Sequence, residues 1–259
     1  MPRATKRVLG QTRQQELLQY LQTFRSGHVA ELSELLGASE STIRRDLDQL
    51  QDQGLVERVH GGAAIIEIAG EPSPPVRATA HALEKARIGE AAAALVAEGD
   101  TVLISGGTTT EAMLSFLGTR RHLTVVTNAL NVATVLAGFP GIDLVVLGGV
   151  LRRDEMSLLG HLTVAALAEF QIDKAFTGAF GLDAVNGLSG MNLGETQTDR
   201  ALIAAAATLV VVADGSKLTQ RGPVRLAPLS AISTLVTDRS ADPASLERIR
   251  AAGIEVVTC

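Results

Sequence analysis

The run Gly37-Ala38-Ser39-Glu40-Ser41-Thr42-Ile43-Arg44-Arg45-Asp46-Leu47 carries hydroxyls and guanidinium groups at spacings that suit contact with duplex DNA. Ser39 can start a helix by accepting a hydrogen bond from an early backbone N–H. Ile43, Leu47 and Leu50 then recur at i, i+4 and i+7 and form one apolar face. At about 100° per residue, Ser41 and Arg45 point away from that face, with Thr42, Arg44 and Asp48 beside them. Such a front suits the major groove, where Arg pairs bidentately with guanine and short hydroxyls reach phosphates or several bases. The bland alternative for the two arginines is a solvated helix face. Asp48 lies one helical turn from Arg44 and Arg45 and is expected to hold them in place. Asp46 falls nearer the buried edge and reads as structural.

A second set of residues is suited to anions. In Ser105-Gly106-Gly107-Thr108-Thr109-Thr110 the glycines let backbone N–H groups approach a ligand and the hydroxyls add donors. A helix expected from about Glu111 would add its positive end, so phosphate is the natural guest. Gly/Thr turns also serve as plain caps. Thr127-Asn128 is either a ligand contact or a cap for a helix over residues 129–136. Gly148-Gly149 with Arg152-Arg153 offers another anion contact. Gly178 to Asp183 forms a fourth loop. In Ala213-Asp214-Gly215-Ser216-Lys217, Lys217 is the candidate partner of a phosphate or sugar oxygen, the alternative being a surface lysine. No Gly-Lys-Ser/Thr ending and no Gly-x-Gly-x-x-Gly occurs, so no nucleotide cofactor is expected. No metal site and no catalytic set is expected either.

The elements that must hold these residues follow from periodicity. Leu17, Leu18, Leu21 and Phe24 form a helical stripe, and Val29, Leu32, Leu35 and Leu36 a shorter one. With the helix containing Ile43 they make a three-helix DNA-binding unit. Beyond Gly54, a C-cap candidate, the apolar runs on either side of Gly61-Gly62 read as a hairpin, the wing of a winged helix. Arg58 and His60 on it can reach the sugar-phosphate backbone. Glu71-Pro72-Ser73-Pro74-Pro75 reads as a stiff extended linker, followed by a helical pattern over residues 79–96. Seven short apolar runs come next, over residues 101–104, 123–126, 144–147, 174–177, 209–213, 234–236 and 254–257, mostly separated by helical patterns. Val/Ile/Leu strands alternating with helices specify a parallel sheet covered on both faces. Ligands on such sheets bind beyond the carboxyl ends of the strands, where all five polar loops fall. The expected division is residues 1–66 (ordered from about 11), a linker at 67–78 and an α/β domain at 79–259.

Composition narrows the classes further. The 46% hydrophobic content over 259 residues supports a real core, and the absence of Trp argues against stacking on single-stranded nucleic acid. The formal charge of −5 is uneven: residues 1–62 carry 8 basic and 8 acidic groups, leaving 15 and 20 for residues 63–259. Positive charge must therefore act locally, through Arg44, Arg45, Arg58 and the arm containing Arg3, Lys6 and Arg7, which is either a phosphate-following arm or a solvated tail. Cys259 allows no internal disulfide, the first residues lack an apolar secretory core, and no apolar run is long enough to span a membrane. A soluble cytoplasmic protein is expected.

Leu35-Leu36-Gly37-Ala38-Ser39, Thr42 to Leu47, Gly54-Leu55 and Arg58-Val59-His60-Gly61-Gly62-Ala63 together resemble the DeoR family of bacterial transcription regulators. Gly107-Thr108-Thr109, Thr127-Asn128, Gly148-Gly149, Gly178 to Asp183 and Ala213-Asp214 with Ser216-Lys217 resemble its sensor domain, so the likeness covers nearly the whole chain. It implies a winged helix-turn-helix joined to a Rossmann-like parallel-sheet sensor similar in fold to ribose-5-phosphate isomerase. It also implies double-stranded operator DNA and a phosphorylated sugar or related anionic metabolite as partners, and repression relieved by the effector as the common behaviour. Two departures from the family stand out: Ser105-Gly106 stand where Asp-Ala is usual, and Phe180 where an acid is usual. The missing carboxylates imply an effector less polar than an ordinary sugar phosphate, or one held differently. Glu195 or Asp199 could supply an acceptor instead, the alternative being solvent-facing helix charges. One winged helix covers little DNA, so a dimer or tetramer on repeated half-sites is expected. The competing expectations are a sugar-phosphate isomerase with Lys217 as cation and Asp183 or Glu195 as base, and a sensor that only oligomerises.

Overall fold

The computed structural model describes residues 13–14, 16–17, 20–21, 26–52, 56–59, 61–65 and 72–259. Leu18, Phe24, Gly54, Leu55, His60, Glu71 and the Arg3/Lys6/Arg7 arm lie outside the described residues. The chain divides into two compact units, residues 1–80 and 81–259.

In the first unit the described residues between 13 and 21 are helical. Strand β1 (Ser26–His28), helices α1 (Val29–Leu35) and α2 (Glu40–Asp52) and the hairpin β2 (Val56–Val59) and β3 (Gly62–Ile65) follow. The strands form an antiparallel sheet in the order β1-β3-β2, so the expected wing is present. Leu17, Leu21, Val29, Leu32, Ile43, Leu47, Leu50 and Val56 are buried in one core, whereas Leu35, expected in the stripe, is exposed. The proline-rich stretch departs from the extended linker expected: Pro74–Thr79 is a helix, α3, and Val76 packs on the winged-helix core. Proline in the first helical positions lacks only an N–H that would have had no partner, and its fixed φ suits a helix start.

The second unit is a seven-stranded parallel sheet. Helix α4 (Ala82–Ala94) leads in after His81, whose left-handed φ of 55° ends the expected continuous helix at that point. The strands are β4 (Thr101–Ile104), β5 (Leu123–Thr127), β6 (Ile142–Val146), β9 (Ile172–Gly178), β12 (Ala206–Val212), β14 (Thr234–Thr237) and β15 (Glu255–Thr258). Their order is β15-β14-β12-β9-β4-β5-β6, and every expected strand has a place in it. Alternate residues face opposite layers: Val102, Ile104, Val125 and Val210 pack with α4, α5 (Thr108–Leu114) and α6 (Leu130–Leu136), whereas Leu103, Val126 and Leu209 pack with α7 (His161–Leu167), α8 (Thr196–Ala204) and α9 (Pro243–Ala251). Two small elements go beyond the expected sheet: a hairpin of β7 (Val150–Arg152) and β8 (Ser157–Leu159), and an antiparallel sheet of β10 (Gly181–Asp183), β11 (Gly187–Gly190) and β13 (Val224–Ala227). Among the described residues no helix is long and apolar enough to cross a membrane.

Helix α4 touches α5 backbone to backbone. A Cβ on Gly89 would lie 2.5 Å from the carbonyl carbon of Ala112. Gly89→Ala therefore forces the helices apart at a point with no flexible side chain to yield, costing about 1–3 kcal/mol. The expected result is a fall of roughly 3–10 °C in the melting transition of residues 81–259 by calorimetry. An unchanged transition would show that the close approach is absent.

Candidate functional site

Helix α2 has a capped start, a buried back and an exposed polar front. The Ser39 carbonyl accepts from the N–H groups of Thr42 (2.9 Å) and Ile43 (3.0 Å), and its hydroxyl accepts from Thr42 N–H at 3.3 Å, as a cap should. That hydroxyl also lies 2.9 Å from Ser41 Oγ and 2.8 Å from Thr42 Oγ1, so Ser39 organises the helix start. Ile43, Leu47 and Leu50 are buried, and Ser41, Arg44 and Arg45 are exposed on the front. Buried Asp46 accepts from Arg13 Nε at 2.5 Å and raises the guanidinium's pKa, a hydrogen bond outweighing burial; its structural reading holds.

The expected role of Asp48 is corrected. Arg44 pairs with Glu40 at 2.7 Å, and Asp48 stands 3.9 Å from Arg58 on the wing. Glu40 lies at i−4 on Arg44's own row, where reach is easy, and strand β2 packs alongside α2 and brings Arg58 to Asp48. Arg45 has no ion-pair partner among the described residues. His60 lies outside the described residues.

In the second unit the loops after β12, β9, β4, β5 and β6 follow one another along the carboxyl edge of the sheet. From β4 the chain passes to β5 and β6 on one side and only later to β9 on the other, so the strand order switches between β4 and β9. Such a switch opens a crevice. Ser105 and Thr177 meet at this switch, with Ser105 Oγ 3.2 Å from Thr177 Oγ1 and Ser105 N–H on the Phe176 carbonyl at 3.0 Å. Nothing in the sequence around Thr177 marks it as a site residue, because its place opposite Ser105 depends on strand order.

Helix α5 begins at Thr108, three residues earlier than expected, so Thr108, Thr109 and Thr110 form its first turn. Gly107 supplies the φ of 139° that the turn needs. Thr110 is fully buried and donates to the Gly107 carbonyl at 2.7 Å, which fixes the loop and takes Thr110 out of direct ligand contact. Gly106 leaves its backbone next to Ala129, where an added Cβ would stand 3.4 Å from the Ala129 Cβ.

Thr127 and Asn128 divide their work differently from expectation. Thr127 Oγ1 donates to the Ile104 carbonyl at 2.7 Å and accepts from Ala129 N–H at 3.1 Å, tying β5 to β4. The N-cap of α6 is Ala129, so Asn128 is not the cap. Its amide donates instead to the Leu158 carbonyl at 3.1 Å, and its Oδ1 is buried with no hydrogen-bond partner among the described residues. A buried unsatisfied acceptor is costly, and an incoming hydroxyl would satisfy it.

Five candidate residues are drawn into internal contacts. A Cβ on Gly149 would lie 2.3 Å from Thr163 Oγ1, and Gly148 accepts from that hydroxyl at 2.6 Å, so this Gly-Gly pair seats helix α7. Arg152 forms an ion pair with Glu195, which precedes α8; the expected anion contact and the expected sugar acceptor engage each other. Asp183 accepts from the N–H groups of Val185 (2.8 Å) and Asn186 (2.7 Å) and from the Asn186 amide. Burial pushes its carboxyl up, but these bonds and nearby Arg221 hold it below the usual range. It is committed to a turn and ill-placed as a base.

Lys217 lies in the short helix Gly215–Thr219, whose cap is Asp214. Buried Asp238 at the end of β14 accepts from Gly215 N–H at 2.7 Å and anchors this loop; an Asp just past a strand was its only signal in the sequence. The Lys217 ammonium stands 5.7 Å from the centre of the Phe180 ring and 3.5 Å from Gln220 Oε1. Among the described residues no group of His, Cys, Asp and Glu could hold a metal ion.

Residues 80–239 match the DeoR C terminal sensor domain, and residues 13–69 the DeoR-like helix-turn-helix domain. The glycerol-3-phosphate regulon repressor of Haemophilus influenzae is 36% identical over 82% of this chain and 84% of its own length. The HTH-type transcriptional repressor CsqR of Escherichia coli is 29% identical over 96% of each chain. The ribose 5-phosphate isomerase A of Methanocaldococcus jannaschii aligns with a TM-score of 0.42 and 20% identity over 54% of this chain and 56% of that one. With both of its units matched in order, the chain belongs to the DeoR family of transcriptional regulators.

Proposed function

We propose that this regulator represses a sugar or related carbon catabolism operon and is released by a phosphorylated, sugar-like effector. The observation that carries the reading is a capped helix with a buried apolar back and an exposed Ser41/Arg45 front, in one chain with a parallel sheet whose strand order switches between β4 and β9. Arg45, Ser41 and Thr42 read base edges or phosphates, Arg44 and Arg58 follow the backbone, and residues 1–66 act as the reading head. In the sensor, residues 79–259, the backbone of Gly106-Gly107-Thr108 holds the effector phosphate. Asn128 and Lys217 take its other oxygens. The Haemophilus relative, named for the regulon of a phosphorylated polyol, supports this effector class. Two or more copies on repeated half-sites supply the affinity, and the protein works in the cytoplasm.

The chain is a regulator and not an isomerase. Asp183 is locked in its turn and Glu195 in its ion pair, which leaves neither ready to move a proton.

The test is selection of duplexes from a random pool, then titration of the winner. Affinity is expected to fall by about 10³ between 50 and 200 mM salt if some six phosphates are contacted. A phosphorylated sugar should release the complex. Equal affinity for selected and scrambled duplexes would sink the proposal.

A further inference from the structure

Each acidic side chain described near the strand-end crevice already has a partner. Asp183 is held by its turn, Asp214 by the N–H of Ser216 at 3.1 Å, Glu195 by Arg152, Glu111 by the Asn131 amide at 2.5 Å, and Asp238 by Gly215 and Ser240. Lys217 differs. It has no ion-pair partner among the described residues, and its neighbours are an uncharged amide oxygen and the face of Phe180. An aromatic face attracts an ammonium but leaves its charge uncancelled. The half-buried Lys217 therefore presents an ammonium without an ion pair at the end of β12, where the carboxylates of Asp214 and Asp238 are turned to backbone N–H groups.

Strands β12 and β4 are separated by β9 alone. Their ends thus stand about 12 Å apart, two strand spacings across the sheet with β12 running two residues beyond β4. A six-carbon chain spans about 6 Å from bonds of about 1.5 Å, and an anionic group at each end adds several ångströms more, which brings it to about that reach. Asn128 Oδ1, buried and unpaired at the end of β5, accepts from a hydroxyl rather than from an anion.

We propose that the effector is a short polyhydroxylated chain with an anionic group at each end, its phosphate on the Gly106-Gly107-Thr108 loop and a second anion, carboxylate or phosphate, on Lys217 above Phe180. This rests on the effector reading above and narrows it to doubly anionic ligands. Phe180 is then a specificity residue: by occupying the place beside Lys217 it keeps a protein carboxylate from cancelling the charge that the ligand must meet.

The test uses the full chain and two sets of probes sharing a carbon skeleton. One set is glucose 6-phosphate, 6-phosphogluconate and glucose 1,6-bisphosphate; the other is the corresponding ribose series. Dissociation constants come from calorimetric titration. In the skeleton that binds, a doubly anionic member is expected to bind at least about tenfold more tightly than the monophosphate. Which doubly anionic member wins separates carboxylate from phosphate. Phe180→Glu, checked for an unchanged melting temperature, should bring the ratio close to one. A monophosphate that binds as tightly as its doubly anionic partners overturns this inference and leaves the effector reading standing. So does a ratio unmoved by Phe180→Glu. If no probe of either series binds, the effector reading itself fails, and this inference with it.

Discussion

Arg45→Ala lowers affinity for the selected operator by about 5- to 150-fold, the effect of removing one bidentate base contact. Fluorescence anisotropy at fixed salt measures it. Arg45 projects opposite the buried Ile43/Leu47/Leu50 face, is exposed, and among the described residues has no carboxylate to leave before meeting DNA. Arg44 must first give up Glu40 at 2.7 Å, so Arg44→Ala is expected to cost less. The salt dependence tells the two kinds of interaction apart. Removing an arginine that reads a base leaves the slope unchanged and relaxes specificity at one base pair, whereas removing one that grips a phosphate reduces the slope by about one. The Arg45 variant should keep the wild-type thermal shift with effector, because the crevice lies in a separate compact unit. Operator affinity within twofold of wild type would remove Arg45 from the reading head.

Lys217→Met has the converse effect. It keeps the aliphatic stem against Phe180 and removes the charge, so effector affinity should fall by about 10- to 150-fold, the range for a hydrogen bond to a charged group. Operator affinity without effector should not change. The loop itself survives, since Asp214 caps it and Asp238 anchors Gly215, and neither contact uses the lysine. In operator-release titrations the curve moves to higher effector concentration with the same end point, as expected when a ligand acts only through its differential affinity for two states. Loss of both activities in both variants would mean that the two units do not divide the work.

Much of this could be read along the chain because it is local. The back of α2 follows from 3.6-residue periodicity, the Ser39 cap from one side chain and the N–H groups after it, and the seven strands from short Val/Ile/Leu runs between turn residues. The carboxyl-edge position of the five loops follows as well, since parallel strands joined by helices put all such loops on one side. The Pro74–Thr79 helix escaped because Pro-Pro fits an extended segment and a helix start equally well, and burial of Val76 against the winged-helix core favours the helix.

Charge pairing is where the linear order of residues falls silent. Arg152 and Glu195 are 43 positions apart, and only the fold of β7 and the approach to α8 lets them cancel. Arg58 meets Asp48 because a strand packs beside a helix, while Arg44 takes its partner from its own helix. Ser105 faces Thr177 across 72 positions because β4 and β9 are neighbours, an order that no single strand encodes. Coulombic and hydrogen-bond energies depend on through-space distance and burial, so which donors and charges remain available to a ligand is a property of the folded chain.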